Sequence, residues 1–143
     1  MLDWIPAYAG MTFAAFLLAF SASAAAFSIQ VPDFDRLESQ LKLRAAQKEQ
    51  FDVAVSATQR ALLAVAIAGL QAKERLTKEF SKPLPDLYAI YRVHEEAIAQ
   101  TAPALRETRD EWEKLYATMD AEQVAAAKRF IREQLGLLVL PWR

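Results

Sequence analysis

The chain has no cysteine, one histidine and three glycines among its 143 residues. Without cysteine it forms no disulfide and has no thiol nucleophile, and a zinc site would lack its usual sulfur ligands. The single histidine, His94, has no second imidazole to share a metal with, and Ser/His/Asp and Gly-rich phosphate signatures are absent. The sequence therefore predicts a protein that is not an enzyme and that binds no metal or cofactor.

Charge is balanced, since 17 Lys and Arg face 18 Asp and Glu, and the two signs alternate along the chain. Proteins that bind nucleic acid gather basic residues into a patch, so nucleic acid is not an expected partner. An apolar fraction of 54% argues against disorder. The length suits one domain with a modest core.

The first 26 residues are predicted to be a signal peptide, with an N-terminal anchor as the alternative. Residues 11–27 are apolar and end in small residues that offer A-x-A cleavage sites. No basic residue precedes Arg36, so the positive n-region of a signal is missing. Residues 1–12 resemble over-extended starts of bacterial gene models, which makes Met11 an alternative start. We expect export to the periplasm, with membrane contact only through an uncleaved leader.

The clearest helical pattern lies in residues 86–119, where residues on one helical face recur every three or four positions. The members of this 86–119 ladder are Leu87, Tyr91, His94, Ile98, Thr101, Leu105, Thr108, Trp112, Leu115 and Met119. Charged residues fill the opposite face, so the ladder is expected to pack on a partner. Pro103 predicts a kink that would curve the helix, the alternative being a helix boundary near Thr101.

A second pattern, the 37–80 ladder, precedes it. Residues 27–34 are predicted to be an extended lead-in, and Asp35 with Glu38 is predicted to cap the first helix. The members of this ladder are Leu37, Leu41, Phe51, Val55, Thr58, Leu62, Val65, Gly69, Lys73, Leu76 and Phe80. Residues 61–70 are apolar on all sides, which predicts cover on more than one side or a contact surface.

The two ladders are expected to form an antiparallel hairpin. Near residues 41–47 the helix either runs through or bends, because Arg44 stands where a capping residue belongs and cannot cap. Pro83 and Pro85 separate two helices of similar length, and a short turn between matched helices favours antiparallel packing. Asp86 begins the second of them.

A shorter C-terminal helix is predicted to follow, with Asp120 as its cap and Gln123 completing a capping box. Its predicted inner stripe is Val124, Ala127, Ile131 and Leu135, with Phe130 beside it and Gly136 as its stop. The apolar residues 137–142 are expected to dock on the hairpin, a second subunit or a client. The predicted fold is thus an elongated all-α domain over 35–143.

Two stretches resemble the paired L-T-x-x-Q motifs of the periplasmic Spy/CpxP family, one at the start of the hairpin and one at the start of the last helix. The residues that carry the resemblance are Leu41, Leu43, Gln47, Leu115, Met119, Asp120 and Gln123. Arg44 replaces the threonine of the first motif, and Met119 and Asp120 replace leucine and threonine in the second. Asp120 keeps the capping role of threonine, whereas Arg44 does not.

The resemblance implies a homodimer shaped as a curved cradle that acts as an ATP-independent chaperone for unfolded envelope proteins. A regulator that binds an envelope-stress sensor, a metal sensor and a structural helical protein are the alternatives, and the lone His94 argues against the metal sensor. The candidate client or dimer surface comprises Leu62, Leu63, Ile67, Leu70, Tyr88, Tyr91 and Trp112.

Overall fold

The structure is a computed structural model that describes residues 31–137. The predicted leader, most of the lead-in and the tail beyond residue 137 lie outside the described residues. Four helices follow one another: α1 Phe34–Leu41, α2 Ala45–Phe80, α3 Leu87–Tyr116 and α4 Ala121–Leu137. The described part of the chain contains no strand. The predicted all-α fold, with two long helices and a shorter C-terminal one, is confirmed.

The hairpin of α2 and α3 is the frame of the molecule. With 36 and 30 residues, the two helices are about 54 and 45 Å long at a rise of about 1.5 Å per residue. Small residues of α2 form the buried seam against α3: Ala54, Ala57, Ala61 and Ala68. They let the backbones approach closely, so the Thr108 hydroxyl of α3 donates to the Ala57 carbonyl of α2 at 3.1 Å.

The N-cap of helix α1 lies two positions earlier than predicted. Asp33, and not Asp35, is the N-cap, because its Oδ1 accepts from the backbone N–H of Arg36 at 3.0 Å. The predicted cap at Asp35 is therefore wrong. The earlier start places Phe34, Leu37 and Leu41 on the buried side of the helix.

The chain bends between α1 and α2. Lys42 follows the last residue of α1 and adopts a left-handed conformation with φ 48°, the one positive φ of a non-glycine residue in the described range. Such a conformation costs roughly 1–2 kcal/mol for a residue with a side chain. The bend predicted as one of two alternatives is confirmed, and a helix running through this point is wrong.

Pro103 lies inside α3, which runs without interruption from Leu87 to Tyr116. The alternative of a helix boundary near Thr101 is therefore wrong. Pro103 is exposed, so the carbonyl of Ala99 that loses its helical partner lies on a side of the helix open to water.

Helix α4 begins as predicted. The backbone N–H of Gln123 donates to Asp120 Oδ1 at 2.9 Å, and the backbone N–H of Asp120 donates to Gln123 Oε1 at 3.0 Å. The helix continues one residue beyond the predicted stop at Gly136. Its buried residues are Gln123, Ala126 and Phe130, whereas Val124, Ala127 and Ile131 of the predicted inner stripe are only half-buried.

Helices α1 and α4 pack together at the open end of the hairpin, opposite the turn at 81–86. The Phe34 ring at the start of α1 stacks on Trp112 at 6.2 Å. At the end of α1, the Leu41 carbonyl accepts from Gln123 in the first turn of α4 at 3.2 Å, and Arg36 pairs with Glu133 farther along α4. The two helices are therefore antiparallel, and α4 advances from the open end toward the turn.

Within the described residues, α2 is the one helix long and apolar enough to cross a membrane by length and composition, and 33% of its most apolar window is buried. The long core helix of a soluble protein meets the same criterion. Ion pairs of Arg60 with Glu107 at 2.7 Å and of Arg75 with Glu96 join α2 to the charged helix α3. Some apolar residues of α2 are thus buried against α3, and others are exposed on its remaining sides.

Candidate functional site

The two glutamines of the motif stretches meet in the interior. Gln47 Nε2 donates to Gln123 Oε1 at 3.0 Å, and Gln123 Nε2 donates to Gln47 Oε1 at 2.8 Å. The side chains are 3% and 6% exposed, respectively. This reciprocal pair joins the start of α2 to the start of α4.

Each glutamine also closes the start of its own helix and reaches the chain that precedes the other helix. Gln47 Oε1 accepts from the backbone N–H of Arg44 at 3.1 Å, while Gln47 Nε2 donates to the Thr118 carbonyl at 2.9 Å. Likewise, Gln123 Oε1 accepts from the backbone N–H of Asp120, and Gln123 Nε2 donates to the Leu41 carbonyl. Every polar atom of the two amides therefore has a partner, as buried amides require.

The two helix starts differ at their caps. Asp120 accepts from the Gln123 backbone, whereas the Arg44 guanidinium has no acceptor and instead donates to the Thr118 carbonyl at 2.9 Å. The prediction that Arg44 gives α2 no side-chain cap is confirmed. At the start of α2, the side-chain hydrogen bond of the capping box therefore comes from Gln47 and not from Arg44.

Trp112 is the centre of the hydrophobic core. Its ring stacks on Phe34 and meets the edge of Phe51 at 5.7 Å. Its indole N–H donates to Thr58 Oγ1 at 2.8 Å, and Thr58 in turn donates to the Ala54 carbonyl. Other residues of this cluster are Leu37, Leu41, Leu115, Ala126 and Phe130. The core thus lies where α1 and α4 cover the hairpin.

The same side of the hairpin is bare toward the turn. Residues seven apart lie close to one face of a helix, and along α3 that face passes from Trp112 through Leu105 and Ile98 to Tyr91. Exposure rises along it, from 4% at Trp112 to 55% at Ile98 and 69% at Tyr91. The 86–119 ladder is therefore packed in one half and uncovered in the other.

The 37–80 ladder lies on this side too, because its member Phe51 meets Trp112. Phe80 is 62% exposed, and an open depression along α2 is lined by Gly69, Leu76 and Phe80. We call this uncovered region the distal face. Helical spacing assigns to it Leu76 and Phe80 of α2 and Leu87, Tyr91, Ile98 and the half-buried Leu105 of α3.

Among residues 31–137 the distal face has no cover, because the covering helices are short. With 8 and 17 residues, α1 and α4 are about 12 and 26 Å long at a rise of about 1.5 Å per residue. Both lie at the open end of a hairpin roughly twice as long as α4. Within the described residues, nothing packs over the half next to the turn.

The predicted surface residues separate into four groups. Leu62 and Trp112 are 3% and 4% exposed, so their assignment to a surface is corrected: both pack inside the chain. Leu63, Ile67 and Leu70 are exposed on the side of α2 that faces away from α3. Tyr91 lies on the distal face. Tyr88 is exposed on another side of α3.

Near the turn, the residues that form the contact between α2 and α3 are not those of the two ladders. Val93 is 5% exposed and Ala97 is half-buried, and they face α2 together with Ala68, whereas the ladder residues Leu87 and Tyr91 point away. The large residues of the ladder were the stronger pattern in the sequence. The run of alanines at 54, 57, 61 and 68 was the signal that could have identified the seam.

Glu79 fastens the turn end of the hairpin. Its Oε2 accepts from Lys82 Nζ at 2.7 Å, and its Oε1 accepts from the backbone N–H of Asp86, the N-cap of α3, at 2.7 Å. The hydrogen bond from Lys82, followed by that from the Asp86 backbone, holds the pKa of Glu79 below its ordinary value. The ionised carboxylate therefore stabilises the turn.

We expect this contribution to make the turn sensitive to acid. Because the pKa of Glu79 is lower in the folded chain, its stabilisation is complete above the ordinary pKa of 4.5 and is lost as pH falls through the folded pKa. Urea unfolding at pH 6 and pH 3 checks this. Glu79→Gln should lose less stability between the two pH values than the unchanged chain, because Glu79 no longer titrates.

The control for this experiment is Glu49→Gln, which changes an exposed carboxylate of the same helix. It should keep the acid sensitivity of the unchanged chain, part of which comes from Glu96 and Glu111. Hydrogen bonds from Arg75 and Lys114, respectively, lower the pKa of these two groups. Equal acid sensitivity in Glu79→Gln and the unchanged chain would contradict the role given to Glu79.

His94 is exposed on α3, and no group of three or more His, Cys, Asp or Glu residues in range 31–137 is arranged to hold a metal ion. The sequence hypothesis of a metal sensor thus gains no support from the described geometry. The distal face and the glutamine pair are the features of the described chain from which function can be argued.

Comparisons of the chain with protein-family models, with curated proteins and with solved structures found no match.

Proposed function

We propose that this protein is an ATP-independent chaperone-like protein of the periplasm, which holds unfolded segments of envelope proteins on the distal face. Unfolded chains expose apolar side chains, and burying them against an apolar surface is favourable by roughly 25 cal/mol per Å². Charged residues beside that surface keep the loaded protein soluble.

The observation that carries this proposal is the half-covered apolar side of the hairpin. Leu87, Tyr91 and Ile98 are 76%, 69% and 55% exposed, on the same side where Trp112 is 4% exposed. Soluble proteins rarely leave a contiguous apolar surface bare unless it binds something. An elongated face of this kind suits an extended chain better than a compact ligand.

The resemblance to the Spy/CpxP family gives separate support. In that family the two motifs stand at the starts of the hairpin and of the last helix. Gln47 and Gln123 occupy the same position in the two motif stretches here, and they are bonded to each other as equivalent partners. Capping boxes that occur by chance have no reason to meet in this way.

The experiment measures how the purified chain slows aggregation of an unfolding client at a stoichiometric ratio. Tyr91→Gln/Ile98→Gln removes two large apolar side chains from the distal face without placing a poor helix former in α3. We expect client affinity to fall about tenfold or more, since each buried side chain of this size contributes about 1.5–3 kcal/mol.

The matched control is Leu63→Gln/Leu70→Gln, which removes two similarly exposed residues, 61% and 60%, from the side of α2 that faces away from α3. It should keep the activity of the unchanged chain. If the unchanged chain fails to slow aggregation, the chaperone proposal is wrong. If the chain is inactive on clients but retains one defined membrane protein, the proposal gives way to the regulatory alternative.

A further inference from the structure

The residues that follow α4 are strongly apolar. Residues 138–143 read LVLPWR, so five apolar residues come directly after Leu137. Pro141 cannot continue a helix and biases the residue before it toward an extended conformation. The sequence thus predicts that an extended, apolar segment leaves the end of α4.

The end of α4 is directed at the distal face. Gln123 in its first turn is bonded to Gln47 at the open end. Glu133 near its end pairs with Arg36, two residues after the Phe34 ring that stacks on Trp112. The helix therefore advances along the covered half of the apolar side. The uncovered part of that side therefore lies ahead of the last described turn of α4.

Distances along α3 show which part of the distal face lies within reach of the end of α4. We call the part closest to Trp112 its near part. Along α3, Ile98 lies about 21 Å from Trp112, and Leu87 lies about 37 Å from it, at a rise of about 1.5 Å per residue. If fully extended, residues 138–142 would span about 17 Å at about 3.3 Å per residue, counted from one turn beyond Glu133. Ile98 and the half-buried Leu105 are within their reach, and Leu87 is not.

We propose that residues 138–142 of the same molecule bind the near part of the distal face, against Leu105 and Ile98. The apolar segment covers apolar side chains, and a short connection to α4 gives it a high effective concentration at this surface. The part of the distal face around Leu87 and Tyr91 stays open. If the face binds clients, a consequence that rests on the proposed function, the segment competes with them for the near part.

Disulfide trapping tests this directly, because the chain has no cysteine of its own. The test variant carries Val139→Cys with Ile98→Cys, and the controls carry Val139→Cys with Leu63→Cys or with Leu87→Cys. Leu63 is as exposed as Ile98 but faces away from α3, and Leu87 is on the same face beyond reach. A disulfide needs Cα atoms within about 4.4–6.8 Å.

Under mild oxidation of the dilute full chain without client, the test pair should form an intramolecular disulfide about tenfold or more faster than either control. Equal rates in all three variants would overturn the proposal, as would disulfides that join two chains. Circular dichroism of the reduced variants checks that each is folded. Because no client is present, this result is independent of the chaperone assay.

The competition is tested with a chain that ends at Leu137. If the segment shields the near part of the face, the shortened chain should bind client severalfold more tightly, because its binding-competent fraction is larger. Unchanged client affinity together with fast trapping would show that the segment docks without competing. Absence of client binding in both chains would contradict the proposed function and leave the trapping result standing.

Discussion

Trp112→Ala is expected to lower the free energy of unfolding by about 3–5 kcal/mol, the usual cost of truncating a buried tryptophan. The variant loses the stacked contact with Phe34, the edge contact with Phe51 and the hydrogen bond to Thr58. These contacts join α1, α2 and α3 at one point. Since small domains are stable by only about 5–15 kcal/mol, the loss brings the chain close to unfolding at room temperature.

Urea unfolding followed by circular dichroism measures this loss. Trp112→Phe should cost about 1–2 kcal/mol, because it keeps most of the ring contacts but leaves Thr58 Oγ1 without its buried donor. The control is Tyr88→Ala, which removes an aromatic residue that is 71% exposed on the same helix. Its effect should stay within about 0.5 kcal/mol. A Trp112→Ala chain as stable as Tyr88→Ala would contradict the described core.

Gln123→Ala is expected to cost about 2–4 kcal/mol, although the side chain is polar. Its removal leaves the Leu41 carbonyl and the Asp120 backbone N–H without their side-chain partner, and each unsatisfied buried group costs about 1–3 kcal/mol. It also separates α4 from the start of α2. The matched control is Gln59→Ala, an exposed glutamine of α2, with an effect within about 0.5 kcal/mol.

A double-mutant cycle tests whether the two glutamines act as a pair. Once Gln123 is gone, the Gln47 amide has already lost its two hydrogen bonds to that side chain. The effects of Gln47→Ala and Gln123→Ala should therefore be non-additive by about 0.5–3 kcal/mol, the range found for residues in direct contact. Additive losses would show that each glutamine acts only as a cap for its own helix.

The helix starts show which local patterns determine structure. Asp120 and Gln123 were predicted as a capping box and form one, because all the groups involved lie within four residues. Asp33 and Asp35 both precede a possible helix start, and local capping rules favoured the wrong one. The burial of Phe34 decided between them, and that burial depends on Trp112, far away along the chain.

The ladders show what a sequence pattern does not predict. The 86–119 ladder correctly indicated one apolar side of α3, but its periodicity carries no information about where the covering helices end. That point follows from the lengths of α1 and α4 and from their position at the open end. The sequence patterns do not predict the pairing of Gln47 with Gln123. Gln123 was interpreted as part of a capping box and Gln47 only as a motif residue, and their contact arises only when α4 folds back onto α1.

The central claim is that the distal face, and no other exposed apolar surface of the described chain, holds unfolded clients. Photo-crosslinking tests it most directly, with a photoreactive amino acid placed singly at Tyr91, Ile98 or Leu63 and an unfolded client present in stoichiometric amount. We predict client adducts at Tyr91 and Ile98 in severalfold higher yield than at Leu63, which is exposed to a similar degree on the side of α2 that faces away from α3. Equal or higher yield at Leu63 would contradict the account.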